Sequence, residues 1–163
     1  MQNKKQIAIA LIGDSKVGKT TIVKLLDKDA KSQGTTYQLK AENISFNIWE
    51  LQTSSFEPQR LGVFSTSFLN KSPKFNRYVI VVSNSTEEDV YKIKYTVKFL
   101  RRTFPNTRLA IIANKQDLEE RFSSRRIEKM TKLPTLGLSA IDQTQRGRLL
   151  NFISYLIDSD VGL

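Results

Sequence analysis

The stretch "QIAIALIGDSKVGKTTIVKLL", residues Gln6 to Leu26, decides how this chain is read. It opens with an apolar run from Ile7 to Ile12, passes through a glycine-bearing loop, and continues with apolar residues at Ile22, Leu25 and Leu26. That order predicts a strand, a loop and a helix. The loop "GDSKVGKT", Gly13 to Thr20, fits the pattern of Gly, four residues, Gly-Lys and Thr. Glycines let a backbone wrap close around phosphate oxygens, while amide N–H groups and the start of the following helix supply positive potential. In such a loop Lys19 bridges the outer phosphates and Thr20 ligates Mg²⁺. Gly13, Asp14, Ser15, Lys16, Val17, Gly18, Lys19, Thr20 and Thr21 are the candidate phosphate-binding residues. A chance Gly-Lys-Thr turn is the competing reading; the strand before the loop and the helix after it argue against that.

Working outward, "TYQLKAENISFNIWEL" alternates apolar and polar residues on both sides of Glu42-Asn43. A two-residue turn there places Ala41 opposite Ile44, Leu39 opposite Phe46 and Tyr37 opposite Ile48, an antiparallel hairpin. A helix is predicted from about Pro58 to Leu69, followed by the β-rich run "RYVIVV". Ser85 and Glu88 have the spacing of a capping box, and Val90, Ile93, Val97, Leu100 and Phe104 recur at helical steps. Then come a buried strand in "RLAIIAN", a short helix in "SSRRIEKM", a strand in "TLGLSA" and a closing helix carrying Leu149, Phe152, Ile153, Leu156 and Ile157. Alternating strands and helices predict a single α/β domain over residues 1–163. The expected architecture is three-layered, of the phosphate-loop NTPase kind: a mostly parallel six-stranded sheet, one antiparallel edge hairpin strand, and helices on both faces.

The 163 residues contain neither cysteine nor histidine. Thiol and imidazole chemistry are therefore excluded, leaving carboxylates, lysine, hydroxyls, backbone groups and a bound ion. No apolar run reaches the length of a membrane helix, and the amino terminus lacks signal-peptide features, so the expected location is cytoplasmic, with room for a peripheral membrane contact. The missing cysteine, together with Gln2 in place of an acceptor glycine, predicts no covalent lipid anchor. Net charge is +10, and residues 86–132 hold twelve Lys and Arg against seven Asp and Glu. Lys94, Lys98, Arg101 and Arg102 share one helix face, and Arg121, Arg125, Arg126, Lys129 and Lys132 cluster around the next helix. These faces are either plain solvated surface or a docking site for an anionic membrane or an acidic protein. Nucleic acid is not expected, because no recognition motif or interleaved aromatic platform accompanies the charge.

"NKQD", Asn114 to Asp117, lies at the carboxyl end of a predicted strand, where ligands bind in open α/β sheets. A carboxylate there can accept two adjacent N–H donors, which guanine offers and adenine does not. At this point the sequence resembles the Ras-like small GTPases, with the Gln of "NKQD" closest to the Arf branch. The resemblance implies GTP or GDP with Mg²⁺ as ligands. It implies that Asn114 holds the phosphate loop and contacts the base, that Lys115 lies along the base plane and Asp117 reads guanine, and that Ser139, Ala140 and Ile141 of "LSAID" sit near it. It also implies a first-switch threonine that completes the Mg²⁺ shell; Thr35 and Thr36 are both available, and Thr36 is favoured.

The resemblance breaks in "WELQTSS", Trp49 to Ser55. Aligned on Trp49, Glu50 replaces the family's Mg²⁺-holding Asp, Thr53 replaces the Gly that touches the γ-phosphate, and Ser54 replaces the water-orienting Gln. Gln52 and Gln59 are the nearby glutamines, and neither is in register unless the chain bulges. Lys16 either projects into solvent or adds charge at the phosphates. The expected catalytic residues are Lys19, Thr36 and Ser54, and the expected metal ligands are Thr20, Thr36 and Glu50. Two functions stand: a guanine-nucleotide switch with weak intrinsic hydrolysis that recruits an effector or regulator through its switch regions, or a pseudo-GTPase whose nucleotide is structural. An ATP-using small-molecule kinase is disfavoured by Asp117 and by the absence of an evident lid segment.

Overall fold

The structure is a computed structural model, described here for residues 5–41, 44–53, 68 and 76–159. Its elements are β1 (Lys5–Gly13), α1 (Lys19–Leu26), β2 (Ser32–Gln33), β3 (Thr36–Ala41), β4 (Ile44–Gln52), β5 (Asn76–Ser83), α2 (Glu87–Thr103), β6 (Arg108–Ala113), α3 (Ser124–Thr131), β7 (Thr135–Gly137), a short 3₁₀ turn (Gln143–Gln145) and α4 (Arg146–Asp158). Among the described residues the strands form one sheet in the order β2-β3-β4-β1-β5-β6-β7. All pairs are parallel except β2–β3 and β3–β4.

Seven strands stand where six were expected. The extra one is the two-residue β2, which folds back onto Thr36 and Tyr37. Gly34, at φ 67°, supplies the left-handed turn between them, a conformation that glycine adopts at least cost. The β3–β4 hairpin has the predicted pairs, Ala41 with Ile44, Leu39 with Phe46 and Tyr37 with Ile48. Alternation then sorts the sheet into two faces. Ile7, Ile9 and Leu11 of β1, Tyr37, Leu39 and Ile48 pack beneath α1 and α4, whereas Ala8, Ala10, Ile12 and Trp49 pack beneath α2 and α3.

The α2 periodicity buries Val90, Ile93, Val97 and Leu100, as predicted. Its cap differs by one residue. Thr86 is the N-cap, its hydroxyl accepting from the N–H of Asp89, while Ser85 lies at φ 66° and donates its hydroxyl to the carbonyl of Asn114. A capping box at Ser85 is lost because this serine ties α2 to the neighbouring loop instead. Most of the helix expected over 58–69 lies outside the described residues. Phe68 is described: it is helical, buried, and meets Trp49 edge to face at 5.5 Å between ring centres. Such a pair adds about 0.5–1.5 kcal/mol beyond area burial. No helix among the described residues is long and apolar enough to cross a membrane.

Candidate functional site

Every described loop that carries a predicted site residue, the hairpin Thr36 apart, opens at the carboxyl end of the parallel strands. The β1–α1 loop is built on two glycines with no spare room. A Cβ on Gly13 would overlap the carbonyl of Val82, and one on Gly18, at φ 103°, would run into the amide of Asn114. Lys16, at φ 62°, takes a left-handed conformation and is exposed, so its side chain stands at the rim of the loop. Lys19 is buried, and its ammonium donates to the carbonyls of Gly13 at 2.9 Å and Asp14 at 2.7 Å. Burial lowers its pKa, opposed by the carboxylates of Glu50, Asp14 and Asp89. A partly desolvated ammonium held by carbonyls is a strong site for a polyanion, which can replace those neutral acceptors.

Beside it, the Thr20 hydroxyl donates to Glu50 Oε2 at 3.1 Å. Glu50 Oε1 is buried with no hydrogen-bond partner among the described residues. An orphaned carboxylate oxygen next to a hydroxyl fits a hard divalent cation, since Mg²⁺ is ordinarily held by one or two carboxylates, a hydroxyl and phosphate oxygens. Sequence reasoning missed Tyr37, whose phenol interacts with the Thr20 hydroxyl. Burial and the charge of Glu50 raise its pKa, while the Thr20 bond holds it down. An alternation count from Glu50 through the Tyr37–Ile48 pair would have flagged it.

Thr36 is not brought to this cluster. It pairs with Trp49, so strand alternation puts it on the sheet face opposite Tyr37 and Ile48. Thr35 lies nearer, its carbonyl accepting from the N–H of Glu50 at 2.8 Å. Thr53 donates its hydroxyl to Asp14 Oδ1, and Asp14 Oδ2 stands 3.7 Å from the Lys92 ammonium. The position where a flexible glycine was expected is thus fastened to the phosphate loop. Ser54 and Gln59 lie outside the described residues. Gln52 needs no bulge: it pairs regularly with Gly13 and, two residues on from Glu50, faces the same cavity.

At the other end, Asn114 is 3% exposed and joins three loops. Its amide donates to the Val17 carbonyl at 2.9 Å, and its side-chain oxygen accepts from the N–H of Ala140 at 2.9 Å. Ser139 donates to Asp117 Oδ1 at 2.7 Å, fixing that carboxylate. Gln116 points the other way, donating to the Ser85 hydroxyl and the Phe122 carbonyl, which anchors the loop to the start of α2. Between the two ends lies a cavity of about 540 Å³. It is lined by Ser15, Lys16, Gly18, Lys19, Thr20, Thr21, Glu50, Gln52, Asn114, Lys115, Asp117, Leu118, Ser139, Ala140 and Ile141. Gly13, Asp14 and Val17 do not line it; Gly13 and Asp14 border a neighbouring cavity with Thr53, Asp89 and Lys92.

No curated protein matches this sequence. Among solved structures, the G-domain of FeoB from Methanococcus jannaschii shares the fold, with a TM-score of 0.68 and 20% identity over 94% of this chain and 99% of that one. A family model, that of the ADP-ribosylation factor family, matches residues 1–148. A cationic loop at one end of the cavity, a fixed carboxylate at the other and a family match spanning both lead to one statement: the chain belongs to the ADP-ribosylation factor (Arf) family.

Proposed function

We propose that the protein binds GTP and GDP in this cavity and acts as a switch that recruits a partner, with slow intrinsic hydrolysis. The observation that carries the reading is the bridging by Asn114, which holds the Lys19 loop and the Asp117–Ser139 pair as two ends of one cavity. Phosphates would meet the amides of residues 15–21 and the Lys19 ammonium, and guanine would meet Asp117, Lys115 and the segment Ser139–Ile141. Thr20 and Glu50 would hold Mg²⁺, which when bound neutralises charge on the outer phosphates. The register argues for Thr35 over Thr36 as the first-switch threonine.

For hydrolysis, the family's water-orienting position is Ser54, whose side chain is too short for that task. Gln52 faces the cavity instead, and we assign it the nearest amide to the outer phosphate. Turnover is expected on the order of 10⁻⁴ per second or slower, the rate of an unassisted small GTPase or below. Single-turnover hydrolysis of radiolabelled GTP by the parent chain and by Gln52→Ala tests this. A rate at or below that level, falling further in the variant, is expected; turnover well above it would contradict the slow-switch reading. The alternative of a structural nucleotide is favoured by the bond from Thr53 to Asp14, which restrains the segment that a switch must move.

A further inference from the structure

We propose that the C-terminal halves of α2 and α3 form one docking face for an anionic phospholipid membrane, at the end of the sheet remote from the nucleotide cavity. The proposal does not rest on nucleotide binding.

The two helices are joined at that end. Arg101 donates to the carbonyls of Thr131 at 3.3 Å and Lys132 at 3.5 Å, closing the last turn of α3 against α2. On α2, Tyr91, Tyr95, Lys98 and Arg102 fall at steps of four, three and four, the outermost line of a helix whose buried line is Val90, Ile93, Val97 and Leu100. All four outer residues are exposed, Tyr95 by 77% and Tyr91 by 47%. On α3, Lys129 and Lys132 are exposed beside them.

Charge is polarised along α2, acidic in its first turn and basic in its last. No Asp or Glu occurs from Val90 to Gln116. The exposed carboxylates Glu87 and Glu88 sit where α2 begins, near the opening of the cavity, whereas α3 carries one exposed carboxylate, Glu128, beside Lys129. Ordinary solvated surfaces intersperse the two signs. Here the stretch of α2 from Lys94 to Arg102 carries four cations and no carboxylate, the side of the molecule that an anionic plane would attract.

Tyr95, 77% exposed midway along α2 and not placed among these cations by sequence reading, matches the same partner, whereas Tyr91 lies a turn from Glu87 and Glu88. An aromatic ring with a polar tip settles at the headgroup level of a bilayer. Tyr91 and Tyr95 are the large apolar side chains that α2 exposes, and α3 exposes none.

The test is sedimentation of the full chain with vesicles of phosphatidylcholine alone and of phosphatidylcholine with about one-third phosphatidylserine, at low salt and at about 0.5 M salt. Binding only to the phosphatidylserine vesicles, and only at low salt, is expected. Each cation near such a surface tightens binding by about fivefold, so the triple variant K98E/R102E/K129E, which removes three cations and adds three anions, should bind at least a hundredfold more weakly, to order of magnitude. K24E/K28E/R148E carries the same change in net charge on the side of the sheet covered by α1 and α4 and should lose less than about tenfold. Melting curves matching the parent show that both variants fold; the milder pair Lys98→Ala and Arg102→Ala, expected to lose about 25-fold, replaces the first triple if it does not. Equal losses in the two triple variants would reduce the effect to net charge and overturn the proposal. So would failure of the parent chain to bind, and its retention on polyglutamate through Lys98 and Arg102 would then assign the face to an acidic polypeptide.

Discussion

The side-chain amide of Asn114 donates to the main-chain carbonyl of Val17 at 2.9 Å, joining two loops 97 positions apart in the chain. The same side chain accepts from Ala140, so its removal leaves a buried carbonyl and a buried N–H without partners. Each such orphan costs about 1–3 kcal/mol. Asn114→Ala is expected to lower unfolding free energy by roughly 2–4 kcal/mol in urea titration and to weaken GTP and GDP binding together. A variant of parental stability would show that the three loops are held by other contacts.

Glu50→Gln tests the divalent site. In the parent chain, chelation of Mg²⁺ should weaken nucleotide binding by about 10- to 100-fold. With a neutral amide at position 50 the gap between Mg²⁺ and chelator should shrink to a few-fold, read by displacement of a fluorescent guanine nucleotide. An undiminished gap would place the ion elsewhere.

Thr53 separates the two functional readings. Thr53→Val keeps the β-branched shape and deletes the hydroxyl that bonds Asp14; Thr53→Gly also frees the backbone. If this bond restrains a switch, both variants should raise the ratio of GTP to GDP affinity by several-fold, the glycine more. Unchanged ratios in both would favour the nucleotide as a structural element.

Asp89 gives a pH signature. Burial raises its pKa above the usual carboxylate value, with Asp14 adding to the rise, while bonds from Ser83 and the Asn84 N–H and the charge of Lys92 oppose it. In the window between the ordinary and the raised value the folded state holds more protons than the unfolded one. Stability from this group is thus full below the ordinary value and declines as pH rises through the raised one. Urea midpoints measured across pH 3 to 7 should show this component, and Asp89→Asn should remove it.

Much of the fold was legible because local patterns and tertiary needs agree. The alternation around Glu42-Asn43 fixed the hairpin register, and the apolar steps from Val90 to Leu100 fixed the buried line of α2. The site was legible where a motif carries its own geometry, as in Gly13–Thr20 and Asn114–Asp117. It was not legible where a side chain answers to a distant partner. Ser85 gives up its cap to bond Asn114, Gln116 serves Ser85 and Phe122, and Tyr37 reaches Thr20 across the sheet edge. Thr36 was favoured without its register, and the strand that begins at that residue turns it to the face opposite Tyr37.

The central claim is that this cavity holds a guanine nucleotide. Denaturing the freshly purified protein and separating what it releases by ion-exchange chromatography tests it most directly. The account predicts guanine nucleotide near one per chain, with GTP as a large share because turnover is slow. A chain that releases none, and takes up neither GTP nor GDP when they are added with Mg²⁺, would contradict it.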